Sequence, residues 1–495
     1  MTTTDSTSRD FLLDLYRSVW TSVEAQDCQP TEIEGTLPAE LCGTLYTNGP
    51  GSTGIGSDHN RHFFDGDALV SAFSLHKGAV SFRSRYVLTP ERMAEQQAGC
   101  RLYPRLGTPL SEGRLANVRM LLHNHFPPNV SLAPYGKKLL ALGDAGTPIR
   151  LDPETLETEG EETFHGLLNG LRMFCGHLHT DPVTHESFGF ITRYVELRSC
   201  LEILQLEPGG EARQVGVLPV DHWYVVHDFA LTPHYFVFVC APLLLNSRKL
   251  MTGWSLGRMP FAGCLDWQPK LGMRVYLVPR QGGKTRTYTL PARFALHLAN
   301  AFENQDEVCF DMPAYPNGWL FKTFQEVMQG REQLHDIVRS TLLRVHLLPD
   351  GAHRVEWLGA HNLEFPRIHE DYRGHTHRYL YGCAAPEKLV KVDTQTHTVQ
   401  SWSGPLDALT GEPVFVPRPG ATQEDDGWIL SLSYASDSDR SFLAVLDAQR
   451  FERLALVWLP FALPFRLHSL FVKDVQLSSH SGGHTHTRMQ THAQA

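Results

Sequence analysis

Apolar residues in this chain alternate with polar ones far more often than they recur at helical spacing, and the alternation keeps breaking at turn residues. From Ile33 onward the chain is a succession of short apolar runs separated by Gly, Pro and Asp. Val225–Tyr235 reads as a strand ending in the Thr232-Pro233 turn, with Phe236–Cys240 returning as a second strand. On the two-residue period His227 then shares an apolar face with Val225 and Phe229. Asn48-Gly49-Pro50-Gly51 and Phe64-Asp65-Gly66-Asp67 carry turn chemistry, and the Asp-Gly step suits a tight hairpin. Helical patterns are few. They are Pro90–Ala98, Trp319–Gln329 and an amphipathic Phe11–Trp20, whose Phe11, Leu12, Leu15, Tyr16 and Val19 form one docking face.

One pattern repeats: an alternating run, a turn and a second strand. It begins near Phe73, Ile149, Ile203, Val275, Leu343, Leu389 and Leu443, at separations of 76, 54, 72, 68, 46 and 54 residues. Each unit holds about four strands and a loop, the size of a propeller blade. Seven such units predict an all-β fold, a seven-bladed β-propeller, in preference to an array of β-sandwiches.

The repeat gives the histidines an address. His177, His227, His297 and His468 follow their preceding repeat starts by 28, 24, 22 and 25 residues, and Glu364 and Glu412 follow theirs by 21 and 23. All six fall early in the next blade, on the strand that lines a propeller's central axis. An axial ring of four imidazoles and two carboxylates is a metal site. Imidazoles in an apolar shaft suit Fe, Cu, Zn or Ni better than Mg or Ca. The residues alone leave open whether Glu364 and Glu412 bind the metal or hold the far N–H of an imidazole.

Composition narrows the partners. With 42 % hydrophobic and 20 % charged residues the chain has a globular balance. A formal charge of −10 and the lack of any basic run exclude a nucleic-acid partner. Nine cysteines without a C-x-x-C pair suit a reducing cytoplasm, and no signal peptide or membrane-spanning run is expected. The domain layout expected is an N-terminal amphipathic segment (1–30), one propeller catalytic domain (31–475) and a polar, disordered tail (476–495). That tail contains His480, His484, His486 and His492.

The chain resembles the carotenoid cleavage oxygenases. The resemblance rests on Gly43-Thr-Leu-Tyr-Thr-Asn-Gly-Pro-Gly51, Phe64-Asp-Gly-Asp67, Cys175-Gly-His-Leu-His-Thr-Asp-Pro182, His227-Asp-Phe-Ala-Leu-Thr-Pro233 and His297-Leu-Ala-Asn-Ala-Phe-Glu303. It extends through Glu364-Phe-Pro366, Gly411-Glu-Pro-Val-Phe-Val-Pro417 and Leu467-His468. By this resemblance the metal is Fe2+, held by His177, His227, His297 and His468, with Glu364 and Glu412 supporting the imidazoles. Asp144 stands where the family usually has a Glu, one methylene longer, so the resemblance leaves open whether it reaches an imidazole directly or through a bridging water. Gly143 replaces a bulkier residue, which is expected to widen the cavity, and Thr47, Ala68 and Ser469 replace a frequent Arg, Gly and Gly. His179 and His222 lie near the ligands and read as structural.

The resemblance implies a non-haem iron dioxygenase that uses O2 to cleave a double bond of a carotenoid or apocarotenoid to aldehydes or ketones, for instance a retinal-type product. A dome of loops and short helices, drawn from 100–135, 241–266 and 310–330, would cover the axial metal and form an apolar tunnel for the polyene. Two alternatives are a stilbene-cleaving dioxygenase of the same family and a binding propeller with a structural metal. The first is disfavoured because His125 stands where its substrate-binding Lys would fall. The apolar stretch 241–267 is either buried loop packing or a lip that meets a membrane peripherally to take up a lipophilic substrate.

Overall fold

The computed structural model describes residues 21–110, 126–169, 172–195, 198–318, 339–384, 387–405 and 408–478. The expected helices at Phe11–Trp20 and Trp319–Gln329, the position of His125 and nearly all of the histidine-rich tail lie outside these residues.

Seven antiparallel sheets form the blades of a propeller. In chain order, blade 2 runs from Ser131–Tyr135 to Thr158–Glu161, blade 3 from His179–Thr180 to Ala212–Val220 and blade 4 from Phe229–Leu231 to Arg286–Leu290. Blade 5 runs from Asn300–Asn304 to His353–His361, and blade 6 from Leu363–Arg367 to Thr398–Ser403. Chain ends close the ring at two places. In blade 1 the late strand His468–Lys473 pairs with the early strand Gly43–Pro50, and in blade 7 Glu32–Gly35 pairs with Glu452–Trp458. Closure through strands distant in sequence leaves the ring without a seam held by one chain end alone.

All seven repeat starts fall on third strands: Ala68–His76, Ile149–Leu151, Arg198–Leu206, Met273–Pro279, Thr341–Leu347, Lys388–Asp393 and Arg440–Asp447. That strand is buried on both faces between neighbouring blades, so it carries the clearest apolar signal. Phe73, Ile203, Val275, Leu389 and Leu443 are each fully buried there.

Topology puts the long connections on one face. Each innermost strand starts at the end where the histidines stand. Links from second to third strands and from blade to blade therefore cross this face: 51–67, 143–148 and 241–272 are of the first kind. The opposite face has short turns such as 136–137 and 305–306.

Three local expectations are corrected. Asn48-Gly49-Pro50 is strand, not turn, because the Asn48 amide donates to the carbonyls of Pro128 (2.8 Å) and Ser131 (2.9 Å) and so ties blade 1 to blade 2. Phe64-Asp65-Gly66 is a 3-10 turn, Phe63–Asp65, and not a hairpin; buried Asp65 accepts from Gly107 N–H (3.0 Å) and the Thr108 hydroxyl (2.5 Å). The strand expected from Val225 begins only at Phe229, since Asp228 caps its own neighbour's N–H (2.8 Å) and turns the chain inward ahead of the sheet. The helix at Pro90–Ala98 forms as expected, capped by the Thr89 hydroxyl and ended by Gly99 at φ 68°.

The stretch 241–267 packs mostly on itself. Leu243–Leu245 pairs with Leu265–Trp267, and Leu245, Leu250, Trp254 and Cys264 form a small core with Phe126, Trp223 and Phe261 around them. Trp254 is 1 % exposed, whereas Met251 is 60 % exposed. Loop packing thus accounts for most of the apolar run. No helix among the described residues is long and apolar enough to cross a membrane.

Candidate metal centre

Each blade sends one polar side chain to the axis. His468 comes from blade 1, Asp144 from blade 2, Glu364 from blade 6 and Glu412 from the approach to blade 7. His177, His227 and His297 come from the approaches to blades 3, 4 and 5. The three histidines precede their strands by two or three residues, where the backbone is free to bend toward the axis.

Their ring nitrogens converge. Nε2 of His177 is 2.9 Å from Nε2 of His227, which is 3.3 Å from that of His297, itself 3.1 Å from that of His468. The four donor atoms all lie within 4.8 Å of one another. Three rings are held from behind: His227 Nδ1 by Asp144 (2.6 Å), His297 Nδ1 by Glu364 (2.7 Å) and His468 Nδ1 by Glu412 (3.0 Å). Asp144 therefore reaches its imidazole directly, with no need of a bridging water. It does so from the end of the second strand of blade 2, Lys138–Leu142, which is why it fell outside the periodic stations.

The carboxylates fix the chemistry of the rings. An ionised carboxylate only accepts, so each Nδ1 carries the proton and each Nε2 presents a lone pair. The His227–His297 and His297–His468 contacts are then lone pair facing lone pair. A shared cation removes that repulsion, and a borderline divalent metal is the group this donor set fits. Burial holds His177 and His468 well below the usual imidazole range, keeping them as neutral donors. Burial also lowers His297, but the Glu364 carboxylate outweighs it and leaves that ring raised.

A bulge aims two of the supports. Register shifts between Glu364 and Arg367, with Phe365 in left-handed backbone at φ 51°. Strain of this kind persists where surrounding contacts over-determine it. Here it turns Glu364 toward His297, while Arg367 lies 3.5 Å from Glu412. The Phe365 ring stacks on His297 at 5.7 Å and meets Phe465 at 6.0 Å.

Several contributors were not legible in the sequence. Arg367, Asp228 and Tyr315 carry no local pattern. Tyr315 is a buried phenol beside Glu364, and burial, together with that carboxylate's charge, raises it well above its usual value. Asp228 accepts from His179 (2.7 Å) and the Leu298 N–H (2.9 Å), and Arg373 completes the buried set at 2.9 Å from His179. His179 is structural, as expected, and His222 points away to Asp221 at 3.9 Å. Gly143 is a correction: a Cβ there would stand 2.5 Å from the Pro127 carbonyl, so backbone fills the space expected to be open.

Residues 16–473 match the model of the retinal pigment epithelial membrane protein family. The chain belongs to this family, that of the carotenoid cleavage oxygenases. It is 32 % identical to the apocarotenoid-15,15'-oxygenase of Synechocystis sp. over 92 % of this chain and 95 % of that protein. It is 29 % identical to lignostilbene-alpha,beta-dioxygenase isozyme III of Sphingomonas paucimobilis, covering 85 % and 89 %. Mouse (Mus musculus) beta,beta-carotene 15,15'-dioxygenase is 26 % identical, covering 90 % and 89 %. The crystal structure of the cobalt-substituted Synechocystis enzyme superposes with a TM-score of 0.85 at 30 % identity, covering 93 % of this chain and 99 % of that one.

Proposed function

We propose that this protein is an iron(II) dioxygenase that cleaves one carbon–carbon double bond of a carotenoid or apocarotenoid, each former alkene carbon leaving as a carbonyl. The observation that carries the reading is the convergence of four imidazole Nε2 atoms, three of them with Nδ1 tied to a carboxylate. Membership of a family whose relatives are named as apocarotenoid and carotenoid oxygenases supports it. One alkene and one O2 account for two carbonyls without external electrons, so no dinucleotide partner is required.

His177, His227, His297 and His468 would hold Fe2+, which when bound supplies reactivity toward O2. Asp144, Glu364 and Glu412 keep the imidazole tautomers that offer Nε2 outward. Arg367 and the Ser469 N–H, the latter 2.6 Å from Glu412, hold that carboxylate in turn. An aromatic wall leads away from the rings: Phe365 meets Phe465, Phe465 meets Phe63 at 6.5 Å, and Phe63 meets Phe64 at 5.6 Å. Such a wall packs against an apolar polyene and turns water away from the reacting bond.

The catalytic unit in this reading is a single propeller domain of residues 31–475. All nine cysteines are unpaired, in keeping with a reducing cytoplasmic setting. The test is anaerobic loading with Fe2+ followed by an apocarotenal, β-carotene or resveratrol in air, with products identified by mass. Bleaching of a carotenoid with paired carbonyl fragments supports the proposal. Cleavage of resveratrol alone would move the substrate to the stilbenes, and no cleavage of any would refute it.

A further inference from the structure

Blade 5 carries a second convergence of metal-binding side chains, remote in chemistry from the axial histidines. Glu307 and Cys309 sit two residues apart on the strand Glu307–Ala314, so they share a face. Cys309 stands directly opposite His346 in the ladder to Thr341–Leu347. His346 Nδ1 lies 3.2 Å from Cys309 Sγ and 3.1 Å from Glu307 Oε2, and the three donor atoms fall within 4.8 Å of one another. On the next strand Glu356 Oε2 stands 3.2 Å from His346 Nε2. Arg354 also donates to Glu307 Oε2, at 3.0 Å, and His397 of blade 6 bonds the other oxygen of Glu356, at 3.0 Å.

With His346 a neutral imidazole, the hydrogen bonds of this cluster leave one pair of acceptors facing each other. If Glu356 takes the Nε2 proton, the Nδ1 lone pair of His346 faces a carboxylate oxygen of Glu307, acceptor against acceptor. The Cys309 thiol can give its one proton to that lone pair and Arg354 donates to Glu307, but neither places a hydrogen between the two facing acceptors. A histidine whose far nitrogen is held by a carboxylate, with its near nitrogen beside a sulfur and an oxygen, has the arrangement of a zinc ligand with its support in place. Zinc bonds of about 2.0–2.3 Å would put tetrahedral donors roughly 3.3–3.6 Å apart, so the contacts of His346 to Cys309 and Glu307 need open by only a few tenths of an ångström. Sulfur, imidazole and carboxylate together select zinc over calcium or magnesium.

We propose that Glu307, Cys309 and His346 form a second metal site that takes Zn2+, with Glu356 orienting the imidazole. The ion cross-links the second and third strands of blade 5, the blade entered through His297. On binding, the Cys309 thiol gives its proton to solvent and becomes the thiolate ligand; nothing is oxidised or reduced. Without a metal, buried Cys309 meets His346 Nδ1 at 3.2 Å, and burial pushes its thiol up to about 12.

Cobalt distinguishes the two sites, because only this one contains sulfur. The full-length protein, stripped with chelator and titrated anaerobically with Co2+, should take two equivalents and develop a near-ultraviolet thiolate-to-cobalt charge-transfer band. The band should persist in His297→Ala, where one equivalent remains, and vanish in Cys309→Ser, which keeps the axial equivalent and its circular dichroism. His346→Asn should abolish the band as well and serves if Cys309→Ser does not fold. In the His297→Ala background Zn2+ should raise Tm, and adding Cys309→Ser should remove that rise. A wild-type protein without the band, or a band that survives both substitutions, overturns the proposal.

Discussion

Replacing Glu412 with Gln is the sharpest probe of how the carboxylates act. Glu412 Oε1 lies 3.0 Å from His468 Nδ1 and Oε2 accepts the Ser469 N–H at 2.6 Å. A glutamine has one acceptor oxygen. If that oxygen stays on Ser469, the amide NH2 confronts the His468 N–H, donor against donor. The ring then escapes by moving its proton to Nε2, which removes the lone pair a metal needs. A buried hydrogen bond to a charged group is worth about 1.5–3 kcal/mol, and changing the support of a metal ligand costs roughly 10–100-fold in affinity. The two figures agree, since tenfold is about 1.4 kcal/mol. Solvent decides the comparison between supports. The Glu412 side chain is 2 % exposed, that of Glu364 20 % and that of Asp144 46 %. Water can replace part of what Asp144→Asn loses, so its effect should stay below about tenfold. The assay is Fe2+ affinity by anaerobic competition with a chelator, with circular dichroism confirming the fold. The expected order of loss is Glu412→Gln, then Glu364→Gln, then Asp144→Asn. If Asp144→Asn lost as much as Glu412→Gln, the argument from burial would be wrong.

Three further outcomes are expected. His297→Ala should lose iron and turnover while the fold survives, because no strand pairing depends on that side chain; retained full turnover would exclude it as a ligand. Gly143→Ala should lower Tm, since its Cβ would meet the Pro127 carbonyl at 2.5 Å; an unchanged or raised Tm would show that the 127–128 backbone yields freely. Asp181 joins blade 3 to Arg280 of blade 4 at 2.7 Å. Burial raises its carboxyl, but the Arg280 bond and the Val183 and Thr184 N–H groups outweigh this and leave it lowered. A lowered carboxyl contributes stability that is present above about pH 4 and is lost as the pH falls through the folded value. Asp181→Asn should cost roughly 1–3 kcal/mol at neutral pH and flatten the acid limb of a urea-midpoint profile; parallel profiles for mutant and wild type would contradict the assignment.

The propeller was readable because one strand per blade is buried on both faces and advertises itself as an apolar run. Phe73 and Leu443 show the signal at its plainest, both fully buried on third strands. The six periodic stations followed, since an axial strand recurs at a nearly fixed distance from that run. Asp144 escaped the periodicity because it enters from a second strand. The turns at Asn48-Gly49 and Asp65-Gly66 were misread for another reason. Asn and Asp side chains bond backbone wherever they find it: Asn48 donates to the distant carbonyls of Pro128 and Ser131, and Asp65 accepts from the distant Gly107 N–H. The bulge at Phe365 and the partners Arg367 and Asp228 exist only as tertiary contacts. No spacing along the chain encodes them.

The central claim is that four imidazoles share one ferrous ion. X-ray absorption at the iron K-edge of anaerobically loaded protein tests it directly. The account predicts one iron per chain with outer-shell scattering from four imidazole rings. Scattering from two or fewer, with protein oxygen or sulfur in their place, would contradict it.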